Sequence, residues 1–262
     1  MRRGFFRWFG RSWSAICVFG VLIQVSLLAE DGSVTRDWGL LEWSEDGIVL
    51  NVARVPENRR LSLPRFRNSF GGMTVDGAPA ESWARIVPEV VYWEARLGDD
   101  APEAPFELKI ETVGAPRLAL QPVIARPKES GELWLPAAHC DVHGEMLRFE
   151  PQPYKNTIGY WVRVADWASW FCTVPEAGAY EVWVHQGCGK NQGGSLVEFR
   201  VGDTRLSYTV KETGHFQNFE RRLVGVADLP AGKVIPIEVR PSKIAANAVM
   251  DIRLIELVPS RP

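Results

Sequence analysis

The chain has 262 residues, of which 30 are lysine or arginine and 32 are aspartate or glutamate, so its formal net charge is −2. Phosphate binding needs a positive surface, and this composition therefore argues against a nucleic-acid partner. The length is sufficient for two domains of about 100 to 150 residues each.

The first 29 residues have the pattern of a secretory signal peptide. An arginine-rich start precedes an almost wholly apolar stretch at 15–28, and Ala29 provides a small residue for cleavage before Glu30. The apolar stretch is shorter than the roughly 20 residues that span a bilayer, so we expect cleavage rather than membrane anchoring. No later segment is apolar enough to cross a membrane. The pattern predicts a secreted or periplasmic protein.

Residues 33–117 are predicted to form a first β-sandwich. The strand candidates are 48–52, 60–64, the apolar stretch 86–97 and the alternating segment 106–111. Prolines and a glycine then interrupt any regular pattern, and because proline cannot donate to a sheet ladder we expect a linker at 118–132.

Residues 133–260 are predicted to form a second β-sandwich. Val197, Phe199 and Val201 alternate with polar residues, as do the apolar residues of 235–239, so each strand can bury one face. Glycine-containing turns separate these segments, and no segment has the caps and spacing of a helix. The fold class is therefore all-β, with two sandwiches of the jelly-roll or immunoglobulin-like type.

Three cysteines follow the signal, namely Cys140, Cys172 and Cys188. An odd number in an exported protein allows one internal disulfide and a free thiol, whereas three buried reduced thiols are the alternative. His139 and His143 have a helical spacing that zinc ligands often use. A proline just before them argues against a helix, and ordinary polar surface is the better interpretation.

The first half resembles the C-terminal β-sandwich of the family 29 glycoside hydrolases, the α-L-fucosidases. The residues that carry the resemblance are DWG at 37–39, IVLNVARVP at 48–56, LSLPRFRN at 61–68 and FELKIE at 106–111. In that family a catalytic barrel of roughly 250 residues precedes the sandwich. The present chain has no room for it before residue 37, so the family's catalytic residues have no counterparts and we expect no enzyme activity.

Residues 158–219 combine short amphipathic strands with aromatics, glycines and amides, a pattern that suits sugar binding because a flat ring can stack on a sugar. The second half resembles carbohydrate-binding modules of families 6 and 35. The segments that carry this resemblance are LWLPAAH at 133–139, DWASW at 166–170, VPEAGAYEV at 174–182, GSLVEF at 194–199, TGHFQNF at 213–219, LPAGK at 229–233 and DIRL at 251–254.

This second resemblance implies a set of sugar-binding residues. The first aromatic position falls at Tyr160 or Trp161, the second at Phe216, where tryptophan is usual, and a polar ligand residue falls near Asn247. Because large apolar side chains are mostly buried, the alternative is that Trp161 and Phe216 are packing residues.

The resemblance also implies a structural calcium ion, held by a glutamate near the start of the module and an aspartate on its last strand. Asp251 fits the second position, but Ala138 stands at the first. Asp141, Glu145 and Glu150 are near enough in sequence to substitute, and calcium takes six to eight oxygen ligands.

These observations predict an exported, non-catalytic carbohydrate-binding accessory protein whose ligand is a polysaccharide or oligosaccharide. The alternative is a structural or protein-interaction module that docks onto a separately encoded glycoside hydrolase. A small hydrolase with an unrecognised pair of carboxylates is a third interpretation.

Overall fold

The computed structural model describes residues 32–260, so the predicted signal peptide at 1–29 lies outside the described residues. Within 32–260 the chain forms twenty-one β-strands and one short 3-10 helix, Ala137–His139, and it contains no α-helix. The predicted all-β class is confirmed. No helix in this part of the chain is long and apolar enough to span a membrane.

The first sandwich consists of a six-stranded and a three-stranded sheet. Its strands are β1 (Ser33–Arg36), β2 (Gly39–Ser44), β3 (Gly47–Val52), β4 (Arg60–Pro64), β5 (Phe70–Val75), β6 (Ala78–Pro79), β7 (Ala84–Pro88), β8 (Tyr92–Leu97) and β9 (Phe106–Thr112). The larger sheet has the order β1-β2-β3-β9-β5-β6 and the smaller sheet the order β4-β8-β7, and all strand pairs in both are antiparallel.

The predicted strands of this half are present, with one refinement. The apolar stretch at 86–97 is a hairpin of β7 and β8, closed by a hydrogen bond from the Glu89 N–H to the Tyr92 carbonyl at 2.9 Å. In β9, Leu108 and Ile110 are buried while their neighbours are not, which is the period-two pattern of a strand with one buried face.

The second sandwich consists of two six-stranded sheets. Its strands are β10 (Ile124–Ala125), β11 (Leu133–Pro136), β12 (Asp141–His143), β13 (Arg148–Glu150), β14 (Thr157–Gly159), β15 (Trp167–Cys172), β16 (Gly178–Gly187), β17 (Leu196–Val201), β18 (Thr204–Thr209), β19 (Glu220–Leu229), β20 (Ile235–Lys243) and β21 (Asp251–Pro259). One sheet has the order β10-β15-β20-β17-β18, with β12 beside β15. The other has the order β13-β14-β21-β16-β19, with β11 beside β21.

The core of the second sandwich follows the sequence pattern. Val197, Phe199 and Val201 of β17 are buried, and so are Ile235, Ile237 and Val239 of β20. The segment predicted as a linker, 118–132, is not free of regular structure, because β10 lies in it and pairs in parallel with β15. That segment is thereby attached to the second sandwich.

The two sandwiches contact each other through buried polar groups as well as aromatic rings. Arg67, whose side chain is 1% exposed, donates to the carbonyls of His139 and Cys140 and forms an ion pair with Asp141. Arg65 donates to the Cys140 carbonyl at 2.8 Å. These bonds link the first sandwich to the start of the second.

A second group of contacts lies beside β13. Arg148 donates to the Pro88 carbonyl at 3.0 Å and pairs with Glu89 at 2.9 Å. The rings of Trp93 and Phe149 lie 6.5 Å apart between centroids. The position of β13 relative to the β7–β8 hairpin is therefore held by both charge and packing.

All three cysteines described are buried and free, so the structure has the reduced thiols of the second alternative. Burial raises the pKa of Cys140 and Cys172 to about 12 and that of Cys188 to about 11, which makes these thiols poor nucleophiles. His143 lies on β12, not on a helix, and its ring is stacked on Trp167 with centroids 3.6 Å apart.

Candidate functional site

Four strands of the β13-β14-β21-β16 sheet place a row of residues on the outer face of the second sandwich. Arg148 is paired with Gly159, Asp251 is paired with Gly187, and the Ile158–Ile252 pair brings Gly159 next to Asp251. Asp251 therefore lies between two glycines. This leaves room above the sheet that side chains at those two positions would occupy.

Neighbouring groups fill that room. A β-carbon added at Gly159 would lie 2.5 Å from Glu150 Oε2 and 2.9 Å from Asp251 Oδ1, and one added at Gly187 would lie 1.9 Å from the Phe216 carbonyl oxygen. Glycine at 159 thus permits two carboxylates to approach the same point. Glycine at 187 permits the backbone of the 213–219 segment to cover the sheet.

The two carboxylates are buried and differ in their partners. Glu150 is 4% exposed and bonds to the Lys155 ammonium, whereas Asp251 is 5% exposed and accepts a long hydrogen bond from Gln217 at 3.4 Å. Burial and the charge of Glu150 raise the pKa of Asp251 well above its ordinary value. Burial is the largest single influence on the pKa of Lys155 and lowers it, but the hydrogen bond to Glu150 and the nearby charges, chiefly that of Glu150, together outweigh burial and raise the pKa.

Replacing Asp251 with asparagine is expected to stabilise the protein at neutral pH. Since the folded state raises the pKa of Asp251 above 3.8, it binds the proton more tightly than the unfolded chain does. The stabilising contribution of the Asp251 carboxyl group is therefore fully present below pH 3.8, its ordinary pKa. It is lost as the pH rises through the higher pKa of the folded state. The melting temperature of the variant relative to the wild type should increase as the pH rises from about 4 through the folded-state pKa.

Asp203, an exposed carboxylate between β17 and β18, provides the matched control for this change. Asp203→Asn should shift the melting temperature by a similar small amount at each pH. A difference between Asp251→Asn and the wild type that does not depend on pH, or a less stable variant at pH 7, would contradict the assignment.

Tyr160 directly follows β14 and has an unusual backbone. Its φ is 58°, a left-handed conformation that is strained for a bulky residue. The side chain is 50% exposed, and the Arg148 guanidinium lies over the ring at 4.4 Å from the centroid. The structure thus holds an aromatic ring at the surface, with a cation beside it, at the expense of backbone strain.

Tyr160 lies at a cleft between the two sandwiches with a volume of about 680 Å³. Both sandwiches line it: residues from the first include Met73, Glu81, Arg85, Ile86 and Arg96, and residues from the second include Glu150, Gln152, Tyr154, Lys155 and Tyr160. The lining combines exposed aromatic rings with charged and amide groups. Such a mixture suits a polar ligand with some apolar surface.

The other residues predicted for the site have different positions. Trp161 is 1% exposed, and its indole N–H donates to the Asp166 carbonyl at 2.9 Å, so it is a packing residue as the alternative interpretation had it. Phe216 is half-buried with its ring against Gly189. Asn247 is exposed, and its backbone N–H donates to the Gln192 side chain at 2.9 Å. None of the three lines the cleft.

A second concavity, of about 530 Å³, contains Trp167 but leaves its ring no free face. His143 stacks on the ring at 3.6 Å between centroids, and the Arg240 guanidinium lies 3.5 Å from the same ring. A ligand could not stack on Trp167 without displacing one of these groups. The cleft beside Tyr160 is therefore the stronger candidate.

Of the oxygen ligands that the resemblance implies for calcium, the described residues bring two carboxylates together. Of the three possible substitutes for the missing glutamate, Glu150 is the one beside Asp251, while Asp141 pairs with Arg67 and Glu145 with Arg163. Across 32–260 no group of three or more His, Cys, Asp or Glu side chains is arranged to hold a metal. Calcium remains an expectation of the resemblance alone.

Glu150 was one of three possible partners of Asp251, but the sequence did not show which carboxylate meets Asp251, nor that the first sandwich contributes to the cleft. The pair had one recognisable signal, since an isolated glycine such as Gly159 at the end of a strand often marks a close approach of other groups. No sequence signal placed Arg85 and Arg96 in the same cleft as Tyr160, because their proximity depends on how the two sandwiches pack.

No protein-family model and no curated protein sequence matches this chain. Among solved structures, a family 35 carbohydrate-binding module from Clostridium thermocellum is 14% identical, covers 49% of this chain and 98% of its own, and has a TM-score of 0.41. The C-terminal family 6 module of a marine laminarinase from Zobellia galactanivorans is 17% identical, with coverages of 48% and 98% and a TM-score of 0.40.

An α-L-fucosidase from Vibrio sp. strain EJY3 is 12% identical and has a TM-score of 0.37. The match covers 86% of this chain and 40% of the fucosidase, so the present chain corresponds to less than half of that enzyme's length. Both kinds of protein that the sequence resembles are thus represented among the similar structures.

Proposed function

We propose that this chain is an exported carbohydrate-binding accessory protein and that the sugar binds in the cleft between the two sandwiches. The observation that carries the proposal is Tyr160, a half-exposed ring that a strained backbone holds at the cleft. Strain of this kind costs on the order of 1 to 3 kcal/mol and persists mainly where a function requires it. Packing would not require it, since the ring is half in solvent.

The chemistry around the ring supports a sugar as the ligand. The Arg148 guanidinium and, at 5.8 Å from the centroid, the Lys155 ammonium lie over the ring, and the exposed half of Tyr160 can stack on the apolar side of a pyranose. Lys155, which lines the same cleft, can donate to hydroxyl groups. Tyr154, 68% exposed, offers a second ring.

We further propose that the site binds without cleaving. Glycoside hydrolysis needs two carboxyl groups on either side of the scissile bond, about 5 Å or more apart with the substrate between them. The Glu150 and Asp251 carboxylates instead meet beside Gly159, and Asp251 does not line the cleft. Of the two carboxylates that line the cleft, Glu150 is held by Lys155, and the hydrogen bond from the Met73 N–H lowers the pKa of Glu81, so neither suits a general acid.

Affinity electrophoresis of the purified protein in gels that contain different polysaccharides tests this proposal. We expect retarded migration on at least one polysaccharide and no release of product from chromogenic glycosides, fucosides included. Failure to bind any glycan would contradict it. Co-purification with a glycoside hydrolase, in the absence of glycan binding, would instead favour the alternative of a protein-docking module.

A further inference from the structure

We propose that the saccharide in this cleft carries an anionic group, a carboxylate or a sulfate ester, and that Arg85 holds it. This inference rests on the proposed function and adds the class of ligand. It starts from the small sheet of the first sandwich, where Arg60 is paired with Arg96 and Arg96 with Arg85. Three arginines therefore form one row across β4, β8 and β7.

Like charges directly opposite each other on a sheet are destabilising unless other charges compensate them. Two carboxylates do so in part. Glu94 lies 3.6 Å from Arg60 and 2.7 Å from Arg96, and Glu89 lies 3.3 Å from Arg96.

Glu89 is shared with a further cation, Arg148, at 2.9 Å. Three guanidinium groups, those of Arg60, Arg96 and Arg148, thus share two carboxylates. Arg85 is left over, because its exposed side chain has no ion pair or hydrogen bond with any residue between 32 and 260.

Arg85 places this unpaired positive charge at the cleft. Arg85 and Arg96 line the cleft from the first sandwich, while Tyr160 lines it from the second. The cleft's acidic groups are already engaged: Glu81 accepts the Met73 N–H at 2.8 Å, and Glu150 bonds to Lys155. An anion would therefore be held at Arg85, whose planar guanidinium matches the paired oxygens of a carboxylate or sulfate.

Binding to matched pairs of polysaccharides tests the inference. One pair is a sulfated polysaccharide and its chemically desulfated form, and the other is a polyuronate and its carboxyl-reduced form. The wild type should bind one anionic member at least about tenfold more tightly than its neutral counterpart, and added salt should weaken that binding. Whichever pair shows the preference identifies the group as a sulfate or a carboxylate.

Arg85→Gln should lose that preference, with about a tenfold or larger loss of affinity for the anionic member. Arg205→Gln is the matched control, since it removes the same charge from a 67% exposed side chain on β18, outside the cleft. Its affinity should equal that of the wild type. Equal melting temperatures of the two variants would show that both are folded.

Three outcomes would overturn the inference in distinguishable ways. Equal binding of neutral and anionic members, unchanged in Arg85→Gln, would refute the anionic ligand while leaving a carbohydrate-binding protein. No binding of any member by the wild type would refute the proposed function itself. An equal loss in Arg205→Gln would show that net charge, not Arg85, causes the preference.

Discussion

Replacing Arg67 with methionine is expected to lower the free energy of unfolding by about 3 kcal/mol, because it removes three hydrogen bonds to backbone carbonyls and the buried partner of an ion pair. The Arg67 side chain is 1% exposed and donates to the carbonyls of Gln121, His139 and Cys140 at 2.9 to 3.2 Å. It also pairs with Asp141 at 2.5 Å. One guanidinium therefore joins the first sandwich, the connecting segment and the second sandwich.

Methionine has a similar length but cannot donate a hydrogen bond. The carbonyls of Gln121 and His139 would lose their donor from Arg67, the Cys140 carbonyl would keep only Arg65, and the partly exposed Asp141 carboxylate would lose its counter-charge. Denaturant unfolding followed by circular dichroism would measure the loss. It would also show whether the two sandwiches still unfold in one transition or separate into two.

Arg205→Met provides the control for this experiment. Arg205 is 67% exposed and its only ion pair within the described residues, to Glu198, is 3.4 Å long, so its loss should change stability by at most about 0.5 kcal/mol. If Arg67→Met lowered the free energy of unfolding as little as Arg205→Met, the hydrogen bonds of Arg67 between the sandwiches would not stabilise the fold.

The strands were predictable because their signal is local. In β17 and β20 each buried residue is flanked by more exposed ones, and this alternation is visible within six residues of sequence. The same reasoning failed to anticipate β10 within the predicted linker, since a two-residue strand is too short to show a period. Its pairing partner, β15, lies more than forty residues further along the chain.

The interface between the sandwiches was not predictable for a different reason. Arg65 and Arg67 occur in the segment RFRN at 65–68, where charged residues indicate a solvated loop, yet both are buried. The acceptors that make this burial possible, such as Asp141, are about seventy residues away in sequence. Only the packing of the two halves creates the environment of these guanidinium groups.

At the candidate site, the sequence also could not show which of two adjacent aromatic residues is exposed. Sequence reasoning placed a ring at Tyr160 or Trp161 without choosing between them. The left-handed backbone at Tyr160 turns its ring outward while Trp161 joins the core, and no pattern in the segment IGYW at 158–161 signals that change of backbone. Phe216 and Asn247 were assigned by position in a resemblance, and the cleft has a different lining.

Tyr160→Gly should separate a binding role from a structural one. Glycine accepts a φ of 58° without strain, so the relief of about 1 kcal/mol or more should offset the lost contact with Arg148 and the added chain entropy. We therefore expect a melting temperature equal to or above that of the wild type. Loss of the stacking ring should weaken binding of the retained polysaccharide by about tenfold or more.

Asn156→Gly is the control that makes this result decisive. Asn156 also has a left-handed backbone, with a φ of 42°, and it lies in the turn that precedes β14, but it has no ring and does not line the cleft. The substitution gives the same kind of backbone relief, so stability should change in the same direction while glycan affinity stays at the wild-type value. If Tyr160→Gly instead lowered the melting temperature and left binding intact, the ring would serve packing, and the strain at this position would need another cause.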